Sequence, residues 1–281
     1  MNTNLLHTTN SGYNTIINEI VNIVSPLAVI HYGLWIFSNK KSRKNPSIDT
    51  NDILNLLVIL DAKDTQSNES NLISRIENSL LRIKKSSVLV HSINFVNEGL
   101  SWGQDFFIDI MERGKIIYQS DIFLITTYFK INPQSKIQRV KDVFNNFHIK
   151  GSQFLHLANI TYLSKDLHVS IFLLHQATEL LMRSILVTHT RYDPKTHNLS
   201  QLARYCRHIT PQIDKIFFTK GKNQQQAISD FRSLQDSYVL ARYELGYHIN
   251  KKLVRTLLTK AKKLEQLSTL LEIRLLDKLA K

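Results

Sequence analysis

One cysteine, Cys206, stands among the 281 residues. It cannot form an intramolecular disulfide, and no CxxC or Cys/His partner lies at zinc-site spacing, so the composition supports neither an oxidised scaffold nor a structural zinc site. No run of about 18 or more apolar residues is free of charge. The opening segment MNTNLLHTTNSGYNTIINEI lacks a basic stretch followed by an apolar core and a small-residue cleavage site,. The expectation is an unexported protein in a reducing cytoplasm. Internal repeats and low-complexity tracts are also missing. The length exceeds one typical core and fits two domains of roughly 100–150 residues each.

Charge is present in excess, and in one place. Lys and Arg number 36 against 23 Asp and Glu, a net charge of +13. Twelve of each sign fall in residues 1–130, so residues 131–281 hold 24 basic and 11 acidic side chains. A field of one sign confined to one half attracts polyanions and favours counterion release on phosphate binding, which makes nucleic acid or a nucleotide the leading partner class. A Lys-rich solvated helix surface would show the same excess.

Hydrophobic spacing divides the chain. Ile16, Ile17, Ile20, Val21 and Val24 recur at helical period, and Ser25-Pro26 ends that helix. Leu27 to Ile30 and Leu54 to Leu60 are short apolar runs bounded by turn-prone segments, as in buried strands. Helical period returns between Asn71 and Lys85. Val88 to Phe95 is expected as a third strand, and Phe106 to Gly114 as a short helix, with Trp102, Phe106 and Phe107 in the core. The reading is an α/β domain over residues 1–121, a linker over 122–150 containing Pro133, and a helical bundle over 151–281, an α+β chain as a whole. Helices are expected over 156–164, 167–189, 199–209, 224–245 and 251–276.

Three strings mark the helical half: His175-Gln-Ala-Thr-Glu179 followed by Leu-Leu-Met-Arg183, Lys195-Thr-His-Asn-Leu199, and Asp236-Ser-Tyr-Val-Leu-Ala-Arg-Tyr243. In that order and at that separation they resemble the HEPN family over roughly residues 151–275. The resemblance implies an up-and-down bundle that dimerises and is often fused to a nucleotidyltransferase-like partner. The residues also have plainer explanations. His175, Thr178, Met182 and Ile185 share one side of a helix, so His175 fits a buried core histidine. Glu179 and Arg183 fit an i,i+4 ion pair. Thr196 or Asn198 fits a helix cap.

Many HEPN ribonucleases carry an arginine, four to six intervening residues and a histidine. Arg242 and His248, with five residues between them, satisfy that spacing and would be the catalytic pair. Histidine would move the 2′-hydroxyl and leaving-group protons while arginine stabilises the phosphorane, with no metal or other cofactor. Two departures stand against this. Tyr243 follows the arginine, as in the branch fused to transferase-like domains, and Asn250 stands where the tyrosine-modified toxin subgroup has tyrosine. Binding is the expected function: Tyr238, Arg242, Tyr243, Lys251, Lys252 and Arg255, with His175, Glu179 and Arg183, combine cations for phosphates with aromatic faces for bases.

In the N-terminal half, Val29-Ile-His-Tyr-Gly33 and Leu56-Leu-Val-Ile59 resemble the first two strands of the minimal nucleotidyltransferase fold. The segment Gly103 to Tyr118 resembles its closing element. That family cradles triphosphate on Gly-Ser and holds Mg²⁺ with two carboxylates one residue apart. Here Leu34 follows Gly33, and Ile53 and Asn55 occupy the carboxylate positions. A third carboxylate on the strand Val88 to Phe95 is absent, His91 being its ionisable side chain. The resemblance therefore implies a fold whose transferase chemistry is lost. The function expected is a non-catalytic, dimeric RNA- or nucleotide-binding protein. A metal-independent endoribonuclease and a protein-interaction scaffold are the alternatives.

Overall fold

A computed structural model describes residues 11–32, 53–64, 69–128, 133–194, 196–218, 221 and 223–280. The chain divides into two compact units, Met1–Lys130 and Ile131–Lys281.

The first unit holds helix α1 (Ser11–Ile23), strands β1 (Ala28–Tyr32) and β2 (Leu54–Leu60), helix α2 (Glu69–Leu80), strand β3 (Ser86–Ser92), helices α3 (Ile93–Ser101) and α4 (Asp105–Arg113), and strand β4 (Lys115–Gln119). The sheet order is β3-β2-β1-β4. β1 runs antiparallel to β2 and β4, and β2 runs parallel to β3, the pair being connected through α2. Strand alternation sends Leu54, Leu56, Val58 and Leu60 of β2 to one face, where they pack with Val29, Val88, Val90 and the apolar sides of α1 and α2,. Each such fully buried aliphatic side chain contributes roughly 1.5–3 kcal/mol. The opposite face takes Tyr32, whose ring meets Phe106 edge-on at 5.9 Å. Phe106 and Phe107 are buried, but Trp102 is 68% exposed, contrary to the core position expected of it.

The expected strand to Phe95 ends earlier. Ser92 accepts a hydrogen bond from the Phe95 amide at 3.2 Å and so caps α3, turning the chain into a helix,. Nothing in the expected elements anticipated β4, five residues that immediately follow Gly114.

The second unit is helical: α5 (Pro133–Leu163), α6 (Leu167–Thr190), α7 (Leu199–Arg207), α8 (Gln212–Phe217), α9 (Gln224–Tyr243) and α10 (Lys251–Leu279). α6 packs against α5, α7, α9 and α10. It is long and apolar enough to cross a membrane by length and composition, but it is mostly buried inside the bundle. α5 and α6 approach closely because Gly151 has no side chain: a Cβ there would come within 2.9 Å of Leu181 Cγ. Residues 133–150, expected as part of a linker, are the first half of α5. Pro133 is the first helical residue, where a missing N–H costs nothing.

Candidate nucleic-acid interface

Four features of the sequence converge on one side of α6: the turns bearing His175, Glu179 and Arg183, the connection 191–198, and Tyr238 and Arg242 one turn apart on α9. Arg183 is buried and fully committed. Its Nε donates to Glu179 Oε1 at 3.1 Å, Nη1 donates to Asp193 and, at 3.1 Å, to the Pro194 carbonyl, and Nη2 donates to the Thr196 carbonyl at 2.6 Å. The guanidinium thus holds the connection between α6 and α7. Asn198 then caps α7, its side chain accepting from the Gln201 amide at 3.0 Å. Burial pushes the Asp193 carboxyl upward against the lowering pull of Arg183.

Glu179, also buried, has a second partner. His197 Nδ1 lies 3.1 and 3.2 Å from its two oxygens. With the carboxylate ionised, Nδ1 is the donor, which leaves Nε2 as an acceptor. The His197 ring stacks on Tyr238, centroids 5.4 Å and planes 9° apart, although 64% of the His197 side chain is exposed. Tyr238 is shared. His175 lies against it at 5.0 Å, and the Arg242 guanidinium lies 4.4 Å from its centroid.

Arg242 is held from several directions, 4.8 Å from the Tyr243 ring, 5.3 Å from the Phe172 ring, and by a 2.6 Å bond from Nε to the Tyr238 carbonyl. Among the described residues no acidic side chain pairs with it, and none hydrogen-bonds its terminal nitrogens. It is an exposed cation fixed on aromatic faces, the arrangement that presents charge to a phosphate at low entropic cost.

His175 is fully buried. Burial, reinforced by nearby His197 and Arg242 and partly offset by the His197 carbonyl, lowers it to about 4, so it is neutral near pH 7,. Among the described residues its Nε2 has no partner at hydrogen-bonding geometry.

The other sequence candidates lie elsewhere. α9 ends at Tyr243, and His248 is exposed in the connection 244–250 that follows. That connection is tied down by Tyr247, whose carbonyl lies 2.7 Å from His168 Nε2. Lys251, Lys252 and Arg255 are exposed on the first turns of α10, Lys251 Nζ lying 5.7 Å from the Tyr162 centroid. The helix begins where Asn250 accepts from the Lys252 amide at 2.8 Å. His197 lies within one of the strings that resemble the HEPN family, but no sequence argument gave it a role of its own, Thr196 and Asn198 beside it being read as caps.

In the first unit, Gly33 and Leu34 lie outside the described residues. Asn55 is on β2, paired across to Tyr32 of β1 and Ser87 of β3, with Ile53 just before the strand. Among the described residues no group of three or more His, Cys, Asp or Glu side chains is placed to hold a metal ion.

The helical unit is thus a bundle in which buried Glu179 and Arg183 support an exposed imidazole and in which the Arg242 guanidinium sits on Tyr238. Residues 148–271 match the family model of the HEPN domain, so the helical unit carries a HEPN domain. No curated protein matches the chain.

Proposed function

We propose that the protein binds RNA or a nucleotide through its HEPN unit without acting on it, and that residues 1–121 are a nucleotidyltransferase-like domain that has lost transferase chemistry. The observation that carries this reading is Arg242, an exposed guanidinium set on three aromatic rings with no acidic partner among the described residues. The charge excess of residues 131–281 and the cations Lys251, Lys252 and Arg255 supply the surrounding field,. Support for the transferase-like domain comes from the mixed sheet, with its β2-α2-β3 parallel unit, and from Ile53 and Asn55 at the positions where that fold grips Mg²⁺.

The reading extends to a cytoplasmic homodimer formed through the HEPN unit. What favours the dimer is the half-exposed apolar strip Leu157, Ile160 and Leu163 on α5. The ribonuclease alternative would bring Arg242 and His248 together with those of a second chain across the dimer interface, and cleavage of RNA in EDTA that is lost in His248→Ala would favour it over binding alone.

The test is binding of a labelled single-stranded RNA across a salt series. Expected are a steep fall in affinity with salt, about ten-fold weaker binding for Arg242→Ala, and a shallower salt slope for the combined Lys251→Gln, Lys252→Gln and Arg255→Gln variant. Wild-type binding that does not respond to salt or to either variant would remove the proposal.

A further inference from the structure

Resting on the RNA-binding reading, we infer that His197, Tyr238, Arg242 and Tyr243 form a ladder of planar groups that takes unpaired bases of an RNA strand, with His197 as its base-stacking end. The rungs follow from the geometry already given: His197 parallel to Tyr238, and Arg242 over both Tyr238 and Tyr243. The two outer members are open to solvent, the His197 side chain at 64% and Tyr243 at 72%.

An exposed imidazole normally samples several rotamers. His197 does not have that freedom, because both oxygens of buried Glu179 hold Nδ1 and the Tyr238 ring holds one face. Glu179 is itself fixed by Arg183. A planar group immobilised before the ligand arrives gives up little entropy when a base stacks on it, so the stacking energy appears in affinity. Nε2, the nitrogen that Glu179 does not hold, is an acceptor for an N–H on a base edge or for a ribose 2′-hydroxyl. The Arg242 terminal nitrogens are available to the phosphate beside that base.

The same geometry selects among ligands. A single nucleotide can cover one end of the ladder, whereas a strand can cover both ends and continue toward the α10 cations. A duplex keeps its bases stacked inside and offers phosphates alone, leaving His197 and Tyr243 unused. The ligand class is therefore an unpaired RNA strand. Glu179 is a positioning residue, and His197 touches the base.

The experiment uses the full chain and a 12-nucleotide RNA carrying 2-aminopurine, whose fluorescence is quenched on stacking. The same RNA annealed to its complement and free AMP are measured beside it at one ionic strength. Expected are quenching of the single strand, at least ten-fold weaker binding of the duplex and of AMP, and a roughly ten-fold loss of single-strand affinity for His197→Ala with its salt slope unchanged. His197→Phe keeps a plane and is expected to retain most of the affinity, which separates stacking from a folding defect. Equal binding of duplex and single strand, with a salt slope that depends on the α10 cations, would overturn the ladder and leave the RNA-binding reading intact. The same holds if His197→Ala binds as wild type. No binding of any RNA at low salt would overturn both.

Discussion

The imidazole of His197 lies parallel to the ring of Tyr238, 41 positions further along the chain, at 5.4 Å and 9°. Tyr238 also carries His175 and Arg242, so one ring organises a buried neutral group, an exposed imidazole and an exposed cation. Tyr238→Phe keeps the faces and is expected to leave stability and RNA affinity near wild type. Tyr238→Ala removes them and is expected to cost about 2 kcal/mol, the ring being half-buried, and to weaken RNA binding several-fold. Urea unfolding and RNA titration of the two variants check this.

Arg183 is the support beneath that site. Replacing it with Met leaves Glu179 as a buried carboxylate facing His197 alone and frees Asp193 and the carbonyls of Pro194 and Thr196. The expected loss is about 3–5 kcal/mol. Lys is expected to recover little of it, since one ammonium cannot reach the four acceptors that the guanidinium spans. The double variant Arg183→Met with Glu179→Gln is expected to lose less than the sum of the single losses, because no buried charge is stranded. Thermal and urea unfolding of the set measure that coupling.

Much of the bundle was legible because long amphipathic helices repeat the same spacing: α9 and α10 begin at the expected residues 224 and 251. β2 was legible as a short apolar run with one polar residue, Asn55, near its start. α5 was half missed, since Pro133 reads as a breaker in isolation and as a first-turn residue only once the helix after it is known. α3 was absorbed into the preceding strand because Ile93 and Phe95 continue its apolar character, and the Ser92 cap is a three-dimensional fact. Arg242 and Tyr238 were readable as a charged and aromatic pair one turn apart. His197 was not, because its partners Glu179 and Tyr238 are 18 and 41 positions away and no local period connects them.

The transferase-like reading makes a prediction at Ile53 and Asn55. Alternation along the strand puts the two positions on the same face, so aspartates there would stand side by side. The double variant Ile53→Asp, Asn55→Asp is expected to gain Mg²⁺ or Mn²⁺ binding detectable by calorimetry, with wild type giving no such signal. Each single variant is expected to bind more weakly than the pair. If the double variant folds, as far-ultraviolet circular dichroism would show, and takes up no metal, the register assigned to this strand is wrong.

Acid should loosen the helical unit through His175. Its pKa is lowered to about 4 in the fold from an ordinary value near 6.5, chiefly by burial,. Between those values the unfolded chain binds the proton and the native site resists it, so stability falls as pH falls, by up to about 1.4 kcal/mol per pH unit for this one group. Above pH 6.5 both states are neutral and the contribution is flat. Buried His208, lowered to about 3 by burial with help from Arg207 and Arg204, adds to the same trend and extends it to lower pH. His175→Gln keeps polarity without a titrating group. Its urea midpoint is expected to fall less steeply than that of wild type between pH 6.5 and 4, with a constant offset above pH 6.5. Parallel curves across the whole range would mean that His175 is protonated as easily in the fold as in the unfolded chain, contrary to its complete burial against Tyr238.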